Sequence, residues 1–196
     1  MSTTSESNLF TDIDAEVFPT ANIGTLTYYA IGGSADSLVK PNSVEALSLL
    51  MQRCMNENIQ VRILGKGANL LVDDDGVEGI VLKLDHPCFH AHTLNNPSDI
   101  HHVECMGGAD LSKILMESAR EGLSGLQPLA GIPASIGGAI RMNAGGKYGA
   151  VSDSLISILA MSDSGEVRCY EKKDVVFGYR TCKILEPIIL SATFQL

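Results

Sequence analysis

Between residues 42 and 58 the apolar side chains recur at helical spacing. Ala46, Leu47, Leu50, Met51 and Cys54 share one face, and polar residues take the other. This predicts an amphipathic helix, capped by Asn42 with Glu45 in the reciprocal position. A second helix is predicted from Asp110 to Glu121. Asp110 caps it, Leu111, Ile114, Leu115 and Ala119 face inward, and Gly122 stands where a left-handed C-terminal cap belongs. Elsewhere the runs are shorter and rich in Ile, Leu and Val. Residues 60–64, 70–72, 79–84, 100–106, 155–161, 166–170 and 188–195 read as strands. Ser162, Asp163, Ser164 and Gly165 separate two of them and give a hairpin signal.

The order strand, helix, strand suggests a small α+β or α/β unit ending near Leu84. The polar stretch 85–99, with Pro87, Pro97 and the pair Asn95-Asn96, reads as a connection to a second unit. The start of the chain is rich in Ser, Thr, Glu and Asn. The expectation is a flexible tail over residues 1–20, one subdomain over 21–85 and another over 100–196. No internal repeat of fixed period is visible, which weighs against a solenoid.

Composition narrows the function. The chain has 196 residues, 45% hydrophobic and 19% charged, which excludes a wholly disordered protein. It carries 14 Lys+Arg against 23 Asp+Glu, a formal net charge of −9, so no basic stripe exists for nucleic acid. That balance leaves open an anion site made of uncharged backbone N–H groups. The first basic residue is Lys40, so a secretory signal is not expected, and no apolar run reaches membrane-spanning length. The five cysteines form no CxxC pair, which fits reduced thiols in the cytoplasm. His86, Cys88, His90 and His92 fall at period two, and one face of an extended strand could offer them to zinc or copper. Pro87 interrupts strand pairing there, so a solvated loop is the default and no metal is expected.

Glycine clusters in three places: Ile31-Gly32-Gly33-Ser34-Ala35, residues 64–70 (LGKGANL) and residues 131–139 (GIPASIGGA). Such segments let successive N–H groups form a nest for phosphate, and each taken alone is equally a plain tight turn. A P-loop requires Gly-Lys followed by Ser or Thr. Here Gly65-Lys66 is followed by Gly67, and Gly146-Lys147 by Tyr148. A dinucleotide fingerprint requires GxGxxG opening a helix, whereas Gly65-Lys66-Gly67 leads through Asn69 into a strand-like apolar run.

Read together, Ile31-Gly32-Gly33, LGKGANLLV over 64–72, GIPASIGGAIRMNAG over 131–145 and Gly178-Tyr179-Arg180 closely resemble the UDP-N-acetylenolpyruvoylglucosamine reductase family, also called UDP-N-acetylmuramate dehydrogenase. Order and spacing agree from about Asn22 to Leu196. The resemblance implies the α+β FAD-binding fold of the p-cresol methylhydroxylase and vanillyl-alcohol oxidase type, with two subdomains clamping FAD. It implies that Gly65, Lys66, Gly67, Ala68 and Asn69 present backbone N–H groups to the pyrophosphate, with Leu70 also in the cofactor site. It implies that Gly131, Ile132, Pro133, Ser135, Ile136, Gly137 and Ala139 line the cofactor, its ring included. It further implies hydride transfer from NADPH by way of FAD to C3 of UDP-N-acetylglucosamine enolpyruvate in peptidoglycan synthesis, with an acid protonating C2. Arg180 takes the place of the arginine that holds the substrate carboxylate, and Tyr179 sits beside it.

Family members continue past the strand matching 188–195 into a third, substrate-binding domain with the serine proton donor. The expectation is that this domain is missing here and that the chain alone does not complete the reaction. The alternatives are a non-catalytic flavin module that works with a partner chain, or another oxidoreductase of the same fold. Three residues depart from the usual pattern: Cys182 where Ser is common, Arg141 where a small or apolar residue is commoner, and Lys147 in an expanded turn. Cys182 reads as a small buried structural group.

Overall fold

The computed structural model describes residues 9–94 and 101–196. The start of the expected tail, residues 95–99 of the expected connection and the first residue of the expected strand 100–106 lie outside them. The chain divides into two units. The first runs to Cys88 and also takes Met161–Glu166; the second takes Phe89–Ala160 and Val167–Leu196.

The first unit is a four-stranded sheet of β1 (Ala15–Pro19), β2 (Ala35–Pro41), β3 (Val61–Ile63) and β4 (Val77–Leu82), in the order β1-β2-β4-β3. Helix α1 (Val44–Asn56) lies between β2 and β3 in sequence. The strands β2, β4 and β3 are parallel. Parallel neighbours need such a crossover, and the strands between are apolar because both their faces are covered. Leu38, Val39, Leu47, Leu50, Ile80, Val81 and Leu82 are all buried. The buried stripe of α1 is Ala46, Leu47, Leu50, Met51 and Cys54, as its periodicity predicts.

Three local expectations for this unit change. The cap of α1 is Ser43, whose Oγ accepts from Ala46 N at 3.0 Å. Asn42 stands one residue too early, and its Nδ2 donates instead to Asp14 Oδ1 at 2.7 Å. Residues 9–20 are also no loose tail. Leu9 is buried, Arg53 donates to the carbonyls of Leu9 and Thr11, and β1 pairs antiparallel with β2 with Val17 opposite Val39. As an edge strand, β1 is covered less than the central strands, so its sequence carries little apolar pattern. Finally, residues 70–72 form loop, with Leu71 70% exposed. They cannot join β4, because β2 and β3 already occupy its two sides.

The second unit is built on a five-stranded sheet. Its strands are β5 (His92–Thr93), β6 (His102–Met106), β9 (Leu155–Met161), β10 (Val167–Glu171) and β13 (Ile188–Gln195), in the order β10-β9-β13-β6-β5. Between β6 and β9 come helices α2 (Leu111–Arg120) and α3 (Ile136–Arg141) and the two-residue strands β7 (Gly145–Gly146) and β8 (Gly149–Ala150). Between β10 and β13 a small hairpin forms from β11 (Val176–Gly178) and β12 (Thr181–Lys183). The central position of β13 explains its sequence. Ile188, Leu190, Ala192 and Phe194 are buried, and so are Ile189 and Ser191 on the alternate positions.

Asp110 caps α2 through Oδ1, which accepts from Ser112 N at 2.8 Å, and Gly122 follows the helix at φ +76°. Leu111 and Ile114 are buried as expected, but Ser118 takes the next inward place and Ala119 is exposed. Steps of three and four from Leu111 lead to Ser118, so geometry outweighs the apolar character of Ala119. Val103, Leu111, Ile114, Ile136, Ile140, Ile158 and Phe194 make one buried cluster.

Replacing Ser43 by Ala should lower the unfolding free energy by about 1 kcal/mol. Asn42→Ala, which removes only an exposed side-chain hydrogen bond, should cost less. Urea denaturation of the two variants gives the comparison, and a larger loss for Asn42→Ala would return the cap to that residue.

Candidate functional site

In the first unit, the loop after β3 turns back under the segment 24–33. Gly67 has φ +67°, and a Cβ there would come within 2.5 Å of Leu26 O and 2.7 Å of Thr27 Cα. Its carbonyl accepts from Tyr28 N at 3.1 Å. These contacts fix the backbone at Gly67. The N–H groups of Gly65, Gly67, Ala68, Asn69 and Leu70 have no acceptor among the described residues. Backbone donors rarely go unpaired, so a row of them marks a place for an anion or for water. The donor set fits a pyrophosphate, and the formal charge of the side chains does not enter.

The glycines of Ile31-Gly32-Gly33 have a different task. A Cβ on Gly32 would lie 2.5 Å from Val72 O, and one on Gly33 would lie 2.5 Å from Asp74 O. Gly33 N donates to Asp73 O at 2.8 Å. This segment therefore braces the loop 65–76 by close backbone packing.

In the second unit, the segment 131–139 approaches α3. Ser135 caps that helix, its Oγ accepting from Gly138 N at 3.2 Å. Ile136 N donates to Ala109 O and Gly137 N to Gly107 O, so these donors are consumed inside the fold. The side chains of Ile136 and Ala139 are buried in the core. Gly131 and Pro133 are exposed, Ile132 is half-buried, and nothing lies within 4 Å of a Cβ placed on Gly131. Gly131, Ile132 and Pro133 are thus the open part of the segment, and Ile136 and Ala139 are its buried part.

Tyr179 and Arg180 are the two residues at the tip of the β11–β12 hairpin. Both are exposed, and the Arg180 guanidinium carbon lies 5.1 Å from the Tyr179 ring centroid. Arg180 has φ +55°. An exposed guanidinium resting on a ring keeps its donors open to a carboxylate. Reading the sequence for chemistry misses what holds this hairpin. Arg141 donates to the carbonyls of Ile184, Glu186 and Pro187, and Asn143 Nδ2 donates to Gly178 O at 3.0 Å. The unusual basic residue at 141 is the one signal in the sequence that points there.

The histidine-rich stretch does not gather into a site. His92 Nε2 lies 2.5 Å from Glu117 Oε2, and His86 Nδ1 accepts from Cys88 N at 3.3 Å. Among the described residues no group of three or more His, Cys, Asp or Glu could hold a metal ion. The thiols are equally quiet. Burial pushes Cys54 up to about 11 and Cys105 up to about 12. Burial also raises Cys182, against the opposing pull of the Arg141 charge. Thiols so raised stay protonated at neutral pH and are poor nucleophiles.

Comparison with known proteins shows the family and the fold. The family model described as FAD binding domain matches residues 35–170. The UDP-N-acetylenolpyruvoylglucosamine reductase of Listeria monocytogenes serovar 1/2a is 36% identical over 172 residues, covering 87% of this chain and 56% of that protein. The crystal structure of UDP-N-acetylenolpyruvylglucosamine reductase (MurB) from Thermus caldophilus superposes with a TM-score of 0.74 at 31% identity, over 92% of this chain and 60% of that one. Cholesterol oxidase from B. sterolicum matches with a TM-score of 0.67 at 19% identity, over 93% of this chain and 37% of that one, and so shares the fold. The fold is that of the p-cresol methylhydroxylase and vanillyl-alcohol oxidase type. The chain spans less than two thirds of the length of the reductases it matches. Among the described residues no helix is long and apolar enough to cross a membrane.

Two measurements follow from the site. Gly67→Ala forces a side chain into a left-handed position against backbone, so bound flavin per chain should fall, with a stability loss of roughly 1–3 kcal/mol in thermal or urea unfolding. With Ellman's reagent at neutral pH, exposed Cys169 should react first, while Cys54 and Cys105 should react only after denaturation.

Proposed function

The chain belongs to the FAD-binding domain family and is similar over most of its length to UDP-N-acetylenolpyruvoylglucosamine reductases; from that premise we propose that it carries the flavin-binding part of an NADPH-dependent reduction of UDP-N-acetylglucosamine enolpyruvate to UDP-N-acetylmuramate. The observation that carries the reading is the row of N–H groups at Gly65, Gly67, Ala68, Asn69 and Leu70, which have no acceptor among the described residues. A pyrophosphate needs such donors, and a row of them supplied by backbone keeps its geometry without side-chain ordering.

When bound, FAD supplies a two-electron carrier between a nicotinamide and a carbon acceptor. The residues of the chain bind and orient. The 65–70 loop holds the pyrophosphate, with the exposed Lys66 side chain adding a positive charge nearby. Gly131, Ile132 and Pro133 offer a small, largely apolar surface to the ring, and Ser135, Ile136, Gly137 and Ala139 fix that surface to the core. Arg180 receives the enolpyruvyl carboxylate. As hydride reaches C3, charge builds on the carbon and carboxylate system, and a guanidinium already in place stabilises it without rearrangement. Tyr179 keeps the guanidinium extended. None of these groups is assigned the C2 proton, which needs an acid of its own. The setting for this chemistry is the cytoplasm, where the sugar nucleotide and NADPH are available.

The purified protein should be yellow or become so with FAD, and NADPH should bleach it under anaerobic conditions. Arg180→Ala should keep its FAD and its reduction by NADPH while losing the spectral response to UDP-N-acetylglucosamine enolpyruvate. A colourless protein that takes up no FAD ends the reading, and loss of FAD in Arg180→Ala assigns that residue to the fold instead.

A further inference from the structure

Helix α3 ends in two side chains that both reach the segment carrying Arg180. Met142 closes the helix, and Asn143 follows at φ +38°. The Asn143 amide turns inward. Its Nδ2 donates to Gly178 O at 3.0 Å, and its Oδ1 is buried with no partner among the described residues. Two residues earlier, Arg141 donates to the carbonyls of Ile184 at 3.0 Å, Pro187 at 3.2 Å and Glu186 between them. The stretch 178–187 is thus held at both ends by the last turn of one helix.

The hairpin needs that support. It pairs three residues a side, Val176 with Lys183, Phe177 with Cys182 and Gly178 with Thr181. A two-stranded ribbon of that length does not hold its own shape in water. Gly178 is the last residue before the tip, so the carbonyl that Asn143 grips is the final fixed point ahead of Tyr179 and Arg180. Residue type at 143 also matters. A left-handed residue after a helix is most often glycine, and asparagine is the other common choice. Glycine meets the backbone need but offers no donor. Aspartate tolerates the same φ but sets an oxygen against the Gly178 carbonyl. Asparagine alone among the three satisfies both demands.

We propose that Asn143 is a positioning residue for Arg180: its amide fixes the Gly178 carbonyl and so sets the guanidinium where the substrate carboxylate binds. The inference rests on the substrate role given to Arg180 above. It also gives the glycine-rich run GIPASIGGAIRMNAG a mechanical sense, since the one short helix that starts behind the ring-facing residues finishes by holding the substrate-facing arginine.

The test compares the FAD-loaded chain with Asn143→Gly, Arg180→Ala and the double variant. Anaerobic titration with UDP-N-acetylglucosamine enolpyruvate is followed in the flavin spectrum, and amide hydrogen exchange is followed over 176–183. Asn143→Gly should keep its FAD, exchange faster in 176–183 than the parent, and bind the substrate about five- to tenfold more weakly, the range expected for one lost hydrogen bond. The double variant should bind no more weakly than Arg180→Ala alone, because the amide acts only through the arginine. An Asn143→Gly variant with unchanged substrate affinity, or losses that multiply in the double variant, overturns the proposal, since a residue that only closes the helix gives one of those results. Should Asn143→Gly lose FAD, Asn143→Asp carries the same expectations with the donor removed and the backbone preference kept. A parent protein that binds FAD but gives no spectral response to the substrate refutes the substrate role given to Arg180 above. In that event the exchange over 176–183 still decides the tie itself, and unchanged exchange in Asn143→Gly shows that Asn143 does not hold the hairpin.

Discussion

Backbone N–H groups are the most abundant donors in a protein, and a fold ordinarily consumes them. The loop after β3 is the exception on which the rest of this structure depends. Gly67 is pressed so closely onto Leu26 and Thr27 that no other residue fits, and its carbonyl is taken by Tyr28 N. The close packing of Gly32 and Gly33 against residues 72–76 braces the same loop from its far side. The N–H groups of Gly65, Gly67, Ala68, Asn69 and Leu70 in this loop have no acceptor among the described residues. Preorganised dipoles of this kind suit an anion without rearrangement, and the site proposed for them needs no positive net charge in a protein whose net charge is −9.

The function proposed for the second unit sets a different demand. A ring-binding surface must be rigid but nearly bare, and an arginine meant for a carboxylate must be exposed but aimed. Both are solved by anchoring from behind. Ile136 and Ala139 sink into the core while Gly131 and Pro133 stay open. Arg180 stays in solvent while Arg141 and Asn143 hold the backbone on either side of it. In the proposed function the exposed groups act, and the buried ones determine where they act.

Much of this was legible in the residues. The helical stripe of α1, the capping aspartate of α2 and the central strand β13 follow from periodicity and burial, and the four glycine-bearing motifs pointed to the family that the comparisons support. The rest escaped for physical reasons. A cap differs from its neighbour by one φ angle, so Ser43 and Asn42 look alike in a sequence. An edge strand such as β1 is covered less than its neighbours and reads as polar tail. The apolar run at 70–72 resembles a strand until the topology shows β4 already paired on both sides. Arg141 and Asn143 act on carbonyls some 35 to 46 residues away, a relation that local pattern does not contain.

The central claim is that uncharged backbone donors at 65–70 hold the pyrophosphate of the cofactor. Titration of the flavin-free protein with FAD and, separately, with riboflavin tests it most directly, because riboflavin keeps the ring and lacks both phosphates. The account predicts that FAD binds far more tightly than riboflavin. Equal affinities would contradict it.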